Sequence, residues 1–418
     1  MRRGAVSAAK AAALSDRLLP MNSRRIASRI SALTGEGALA VFTRARELEK
    51  EGRSIIHLEL GEPDFHPAAP VVDAARSAVA AGRDRYCATR GLPALREEIA
   101  LYLKRTRNVD CQMHEVLVAP GCKMALALAM MSLIEPGDEV LYPDPGFPIY
   151  ASFTRGLGAK PVSFVLRESQ GFQPDLDEIK RKITEKTRVV IFNSPGNPTG
   201  TVWDENSLRR LAELAVEHDL WVISDEVYAR IVFAGAYQSI RSLPEMAERT
   251  VIIDGFSKSF AMTGWRLGYA IAPVRVVDAM DLLVLNTFTC AAEFIQVAAI
   301  EALRDSTDAV EAMVSEYKKR RDLFVTGLRR IPGFRCQPPG GAFYAWVNIE
   351  ETGISAEELQ KLFLEEAGVA VIAGAAFGAE GKHYLRFSLV SSKNLIEDAL
   401  ERIQRTAVRW RSVADARR

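Results

Sequence analysis

Two ionisable residues in this sequence, Asp225 and Lys258, each follow directly on an apolar run, where a charge is costly to bury. Asp225 closes LWVIS, so it needs a cationic partner or else caps the helix that follows. Lys258 follows TVIIDGFS and is either ion-paired with an acid or held as an unprotonated amine for covalent chemistry. Arg266, in MTGWRLGY, suits either phosphate recognition or a core salt bridge. Taken singly, a structural role is the simpler account of Lys258 and Arg266, and the two readings of Asp225 stand level. The histidines (His57, His66, His114, His218, His383) show no ligand spacing, so all five read as structural or surface residues. Cys87, Cys111, Cys122, Cys290 and Cys336 are scattered without CxxC spacing. Neither a metal centre nor a disulfide framework is expected.

Such groups need a frame, and the chain alternates helical and strand patterns. Strand candidates are residues 115–119 (EVLVA), 139–143 (EVLYP), 188–193 (RVVIFN), 220–225 (LWVISD), 250–256 (TVIIDGF) and 266–272 (RLGYAIA). They are continuous apolar runs, the pattern of a sheet covered by helices on both faces. Residues 205–218 supply an amphipathic crossover, and residues 39–50 have helical spacing. IIHLEL, residues 55–60, is a strand-like run stopped at Gly61. A helical pattern extends from residue 286 to residue 329, and short strands follow at 342–348 and 384–388. The prediction is an α/β fold: a three-layer α/β/α large domain with a mostly parallel sheet, plus a smaller α+β domain. The expected division is a flexible extension over 1–25, a segment 26–60 joining the small domain, the large domain over 61–290, and the rest of the small domain over 291–418. Many polar turns fall at the C-terminal ends of the strands: residues 121–123, 144–147, 193–200, 225–228 and 257–258. In an open α/β sheet, ligands bind at that edge.

Composition narrows the function. Lys and Arg number 54 against 53 Asp and Glu, a net charge of +1, so no overall field holds nucleic acid or an anionic membrane surface. The most apolar stretch, residues 124–134, is too short to span a bilayer and reads as a buried helix. Unpaired cysteines fit a reducing cytoplasm. The first twenty residues are Ala-rich and basic, as in a weak targeting peptide, but an extension ahead of Met21 is the preferred reading.

Read together, NSPGNPTG (residues 193–200), SDEVY (224–228) and SKSFAMTGWRLGY (257–269) closely resemble the signature segments of the class I/II aminotransferases, pyridoxal phosphate enzymes of fold type I. YCATRGLPALREEI, PGCKMAL, PDPGFPIY, PPGGAFYAW and YLRFSLV extend the resemblance from about residue 26 to about residue 402. Each motif is weak alone; their common order makes the set strong. The resemblance implies catalytic roles for Lys258, Asp225 and Tyr228. Lys258 would bond the cofactor aldehyde and later move the substrate's α-proton. Asp225 would keep the pyridine nitrogen protonated, and Asn197 and Tyr228 would hydrogen-bond the ring oxygen. The phosphate would be held by Gly121, Cys122 and Lys123 at a helix N-terminus, with Ser257 and Arg266. Here the chain departs from many relatives: Cys122 stands where Gly or Ser is common, and Gly255 where some members have serine. Cys122 is expected to act through its main chain, as a spectator thiol. Phe147 would stack on the ring. Tyr86, together with Thr289, would reach the phosphate of a neighbouring subunit, implying a homodimer with shared sites.

Arg386 would clamp the substrate α-carboxylate with its planar fork, beside Gly61 and Asn197. In so apolar a strand, a buried acid near Arg386 is expected on any reading. The function implied is transfer of an amino group from an L-α-amino acid to a 2-oxo acid by a ping-pong cycle. The alternative is a lyase or oxidase using the same carbanion; an effector-binding domain of a transcription regulator is disfavoured. Side-chain selection is expected around residues 34–42, 147–150 and 286–290, where Ala38, Leu39, Val41, Phe42 and Phe288 suit a neutral or aromatic substrate without excluding an acidic one.

Overall fold

In the computed structural model, residues 26–35 and 37–415 are described; the expected extension over 1–25 lies outside them. The chain enters through helix α1 (Gly37–Lys50) and a two-residue strand, β1 (Ile56–His57), shorter than the apolar run 55–60 suggests. The predicted strands then appear within a residue or two of their expected ends, as β2 (Val116–Ala119), β3 (Glu139–Asp144), β5 (Thr187–Asn193), β6 (Trp221–Asp225), β7 (Thr250–Gly255) and β8 (Gly268–Ile271). With β4 (Lys160–Val165) they form one sheet in the order β2-β8-β7-β6-β5-β3-β4. Only β8 runs against the others. Strand β4 escapes the apolar-run criterion because it lies at the edge, begins Lys-Pro, and is only partly buried.

Helices cover both faces, as the continuous apolar strands require. Val251 and Ile253 point to the face packed by α4 (Cys122–Leu133), while Ile252 between them points to the other. This alternation with period two lets one strand serve two cores. The second face carries α2 (Ala69–Ala80) and α3 (Pro93–Arg107). The helical stretch after residue 286 is two helices, α5 (Glu293–Asp305) and α6 (Thr307–Leu328), separated at Ser306. Ala298, Ala299, Leu303 and Val310 join Ile99 and Leu103 in the large core, whereas Phe324 and Leu328 belong to the small one. Helix α6 therefore contributes side chains to both cores.

The smaller unit is built on an antiparallel sheet, β12-β13-β10-β9, of β9 (Arg335–Cys336), β10 (Tyr344–Asn348), β12 (Ile372–Ala373) and β13 (Tyr384–Ser388). Strand β11 (Val369–Ala370) pairs with β1, tying the N-terminal segment to this unit. Helix α7 (Lys393–Asp415) closes it, burying Ile396 and Ile403 against Phe387 and Val347.

Candidate active site

The C-terminal ends of β5, β6 and β7 face a cleft of about 450 Å³ between the two units. That is the size of a small-molecule site. Asn197, Asp225, Tyr228, Ser257 and Lys258 line it from the sheet edge, Cys122 and Lys123 from the start of α4, and Gly61 and Arg386 from the smaller unit's side. Phe147 and Arg266 complete the wall. Gly121 caps α4 behind them. Tyr86 is not brought there: it is 86% exposed and lies outside its own chain's cleft.

Asp225 ends β6 with its carboxylate buried. No Lys or Arg pairs with it among the described residues. Oδ2 accepts from the Tyr150 hydroxyl at 2.6 Å, and burial pushes its pKa up to about 6 despite that bond. Tyr150 was expected to shape the substrate side chain. It is instead fully buried at the start of the helix Ile149–Gly156 and bonds Asp225, while Phe147, in the turn before that helix, lines the cleft. Asn193 ties the neighbouring strand ends together: Nδ2 donates to the Asp225 carbonyl at 2.9 Å, and Oδ1 accepts from the Asn197 main-chain N–H at 2.7 Å.

The start of α4 is an anion cradle. Gly121 has φ +89°, a conformation that favours glycine, and a Cβ there would lie 2.6 Å from Arg266 Nη2. Arg266 is an exposed cleft residue, not a core ion pair; its Nη1 donates to the Thr263 carbonyl at 2.8 Å. The N-terminal turn of α4, its helix dipole and this guanidinium together favour an anion. The two departures from the family pattern meet here. A Cβ on Gly255 would lie 2.7 Å from Cys122 Sγ and 2.6 Å from Gly268 Cα, so serine has no room at 255. Burial pushes the Cys122 thiol up, away from nucleophilic use.

Lys258 Nζ donates to the Gly61 carbonyl at 2.5 Å, and no acid pairs with it among the described residues. Gly61 must be glycine, since a Cβ would lie 1.9 Å from the Tyr344 hydroxyl. That hydroxyl shares a hydrogen bond with Tyr228 at 2.9 Å, and burial keeps the Tyr228 phenol well above its usual pKa, hence able to donate. Arg386 Nη1 donates to Asn197 Oδ1 at 3.1 Å. Nη2 donates to the carbonyl of Glu59, the buried acid expected nearby, whose carboxylate pairs with His57 at 2.7 Å. The guanidinium also lies 4.5 Å from the Tyr344 ring. Ala38 and Leu39 line the cleft, whereas Val41 is core and Phe42 packs on His57. Residues 286–290 do not reach the cleft of their own chain.

Tyr344 and Asn193 also line the cleft, though the sequence did not single them out as site residues. The available signals were an aromatic in PPGGAFYAW and an asparagine at a strand end. Among the described residues no group of His, Cys, Asp and Glu could hold a metal ion, and all five cysteines are free. The donor set fits pyridoxal phosphate: an N–H-lined helix end with a guanidinium for phosphate, a buried carboxylate for a ring nitrogen, and an amine between them.

The family model for aminotransferase class I and II matches residues 53–403. An aspartate aminotransferase of Pyrococcus horikoshii is 38% identical, covering 91% of this chain and 96% of that one. An aromatic-amino-acid aminotransferase of Thermococcus litoralis is 38% identical over 94% of this chain and 98% of its own. In the solved aspartate aminotransferase from Thermus thermophilus with maleate, 35% identical, 92% of this chain superposes on the whole of that one with a TM-score of 0.88. With the cleft's donors, the motif order and the fold in agreement, the chain belongs to the class I and II aminotransferases and is a pyridoxal phosphate-dependent transaminase.

Proposed function

We propose that the cleft divides its work among the residues it gathers, with aspartate as amino donor and a 2-oxo dicarboxylate as acceptor. The observation that carries the reading is the convergence on one cleft of a lysine that has no acid partner among the described residues, a buried carboxylate and an arginine fork. When bound, pyridoxal phosphate supplies a sink for the electrons released at the substrate α-carbon. The chain does the rest. Lys258 Nζ holds the cofactor and, once displaced by the incoming amine, takes the α-proton and returns it. Asp225 faces the ring nitrogen and holds its proton, while Asn197 and Tyr228 donate to the ring oxygen. The first turn of α4, with Ser257 and Arg266, holds the phosphate, and Phe147 covers one face of the ring.

Arg386 binds the substrate carboxylate in a bidentate grip and so orients the α-C–H bond across the ring. Several relatives named aspartate aminotransferases support the choice of donor. Ala38 and Leu39 at the cleft lip favour an aromatic donor as the second reading, alongside the relative named for aromatic amino acids. Exposure of Tyr86 supports a homodimer in which it serves the partner's phosphate, and the five free thiols support a cytoplasmic location.

The Lys258→Ala variant should lose transamination and the yellow colour of the purified protein together. Full colour with normal turnover would overturn the assignment. A panel of amino donors against 2-oxoglutarate and pyruvate separates the two donor readings.

A further inference from the structure

Behind Asp225 lies a buried group of charges that the roles above leave unused. Arg107, the last residue of α3, has its side chain 1% exposed, and its guanidinium bridges two acids. Nη1 donates to Glu226 Oε2 at 2.8 Å and Nη2 to Asp254 Oδ2. Glu226 follows Asp225 in the chain. Asp254 stands on the adjacent strand β7, where Asp225 pairs with Ile253, and immediately precedes Gly255 beside the phosphate cradle. Both acids are further held: Glu226 Oε1 accepts from Ser224 and Ser239 at 2.9 and 2.5 Å, and Asp254 accepts from the Tyr269 hydroxyl at 2.9 Å and the Gly255 N–H at 2.6 Å.

Three carboxylates thus crowd two neighbouring strand ends, and one guanidinium lies among them. In a buried setting each added negative charge opposes ionisation of the next. Glu226 and Asp254 both act in that sense on Asp225. The arginine fork meets the two carboxylates with separate N–H groups held in one plane, and a lysine would bring the same charge as a single point.

We propose that Arg107 is a positioning residue for the cofactor: by neutralising Glu226 and Asp254 it leaves Asp225 free to carry the negative charge that meets the ring nitrogen. The inference rests on the reading that Asp225 faces that nitrogen. Asp225 is also faced by the Tyr150 and Tyr228 hydroxyls and the Cys122 thiol, with Lys258 across the cleft. Tyr102, Tyr237 and Tyr269 surround the Arg107 cluster, and Arg230 lies over Tyr102. Burial raises every one of these tyrosines and the thiol, so they stay neutral through the range tested.

The test is equilibrium dialysis of pyridoxal 5′-phosphate against the full chain from pH 5 to pH 9. Arg107→Met should shift the acid-side loss of binding upward by about one pH unit, weakening affinity by close to tenfold toward pH 5 and by about twofold at neutrality, and converging with the wild type at high pH. Glu226→Gln removes one of the opposing acids and should move the same limb downward; it decides the question if Arg107→Met does not fold. Arg107→Lys should restore much of the wild-type profile. Uniform weakening at every pH, or a Glu226→Gln profile superimposed on the wild type, would overturn the proposal. Failure of the wild type to bind, or an Asp225→Asn variant that binds as the wild type does, would instead sink the reading on which it rests.

Discussion

Asp225 occupies a site that opposes its own charge. Its pKa of about 6 against an ordinary 3.8 arises first from burial, with the Tyr150 hydroxyl and the Val227 N–H pulling back. A carboxyl whose pKa is raised by folding binds its proton more tightly when folded, so its ionisation subtracts stability as pH climbs from about 4 through 6. For the cofactor-free protein at pH 7.5 the loss is about 3 kcal/mol at most. Asp225→Asn should therefore melt higher than the wild type at pH 7.5 without cofactor, match it near pH 4, and bind pyridoxal phosphate more weakly. A lower melting temperature at both pH values would contradict this. Arg386 is the complementary case, a positive charge kept in place by Asn197 and the Glu59 carbonyl. Arg386→Ala should weaken amino-acid binding by ~2–3 kcal/mol, as for a lost charge-assisted pair, with little change in cofactor affinity. Equal loss of both would assign Arg386 to structure alone.

At the scale of elements, the cleft lip depends on how α1 is fastened. His57 on β1 reaches Glu59 through Nδ1 at 2.7 Å and Glu49 on α1 through Nε2 at 3.1 Å. The hydrogen bond to buried Glu59 raises its pKa most, with Glu49 adding to it. For a raised histidine the stabilisation is complete below the unfolded value near 6.5 and fades as pH rises through the folded one. Amide exchange in α1, which brings Ala38 and Leu39 to the cleft, should accelerate between pH 6 and pH 9 beyond the intrinsic pH effect. His57→Gln should flatten that dependence; an unchanged slope in the variant would remove His57 from the account. The same stretch shows why a strand-like sequence yields so short a strand. Ile56 and His57 pair with β11, whose last residue also accepts the Leu58 N–H, and beyond Leu58 the chain delivers Glu59 and Gly61 to the site.

At the scale of the molecule, the proposed dimer makes a prediction that no single chain can satisfy. If Tyr86 serves the partner's phosphate, mixing Lys258→Ala with Tyr86→Ala subunits creates a dimer in which one site carries both defects and the other carries neither. Activity should then rise above that of either variant alone, read after subunit exchange. Mixtures that merely average the two would place the site within one chain.

The apolar runs, the turns that end them and the ordered motifs were enough to locate the sheet, its binding edge and many of the polar residues that line the cleft. Those features are local: a strand covered on both faces must be apolar along its whole length, and a residue that meets the cofactor lies within a few positions of the strand end that carries it. The partners behind that layer are set otherwise. Tyr150, Tyr344, Glu59 and Arg107 act on Asp225, Tyr228, Arg386 and Glu226 across long separations in the chain. No local pattern marks such pairs, because side-chain direction and burial arise only when the helices and the smaller unit pack against the sheet. Glycine at 255 is likewise decided in three dimensions, by a cysteine and a glycine backbone from two other segments filling the space where its side chain would stand.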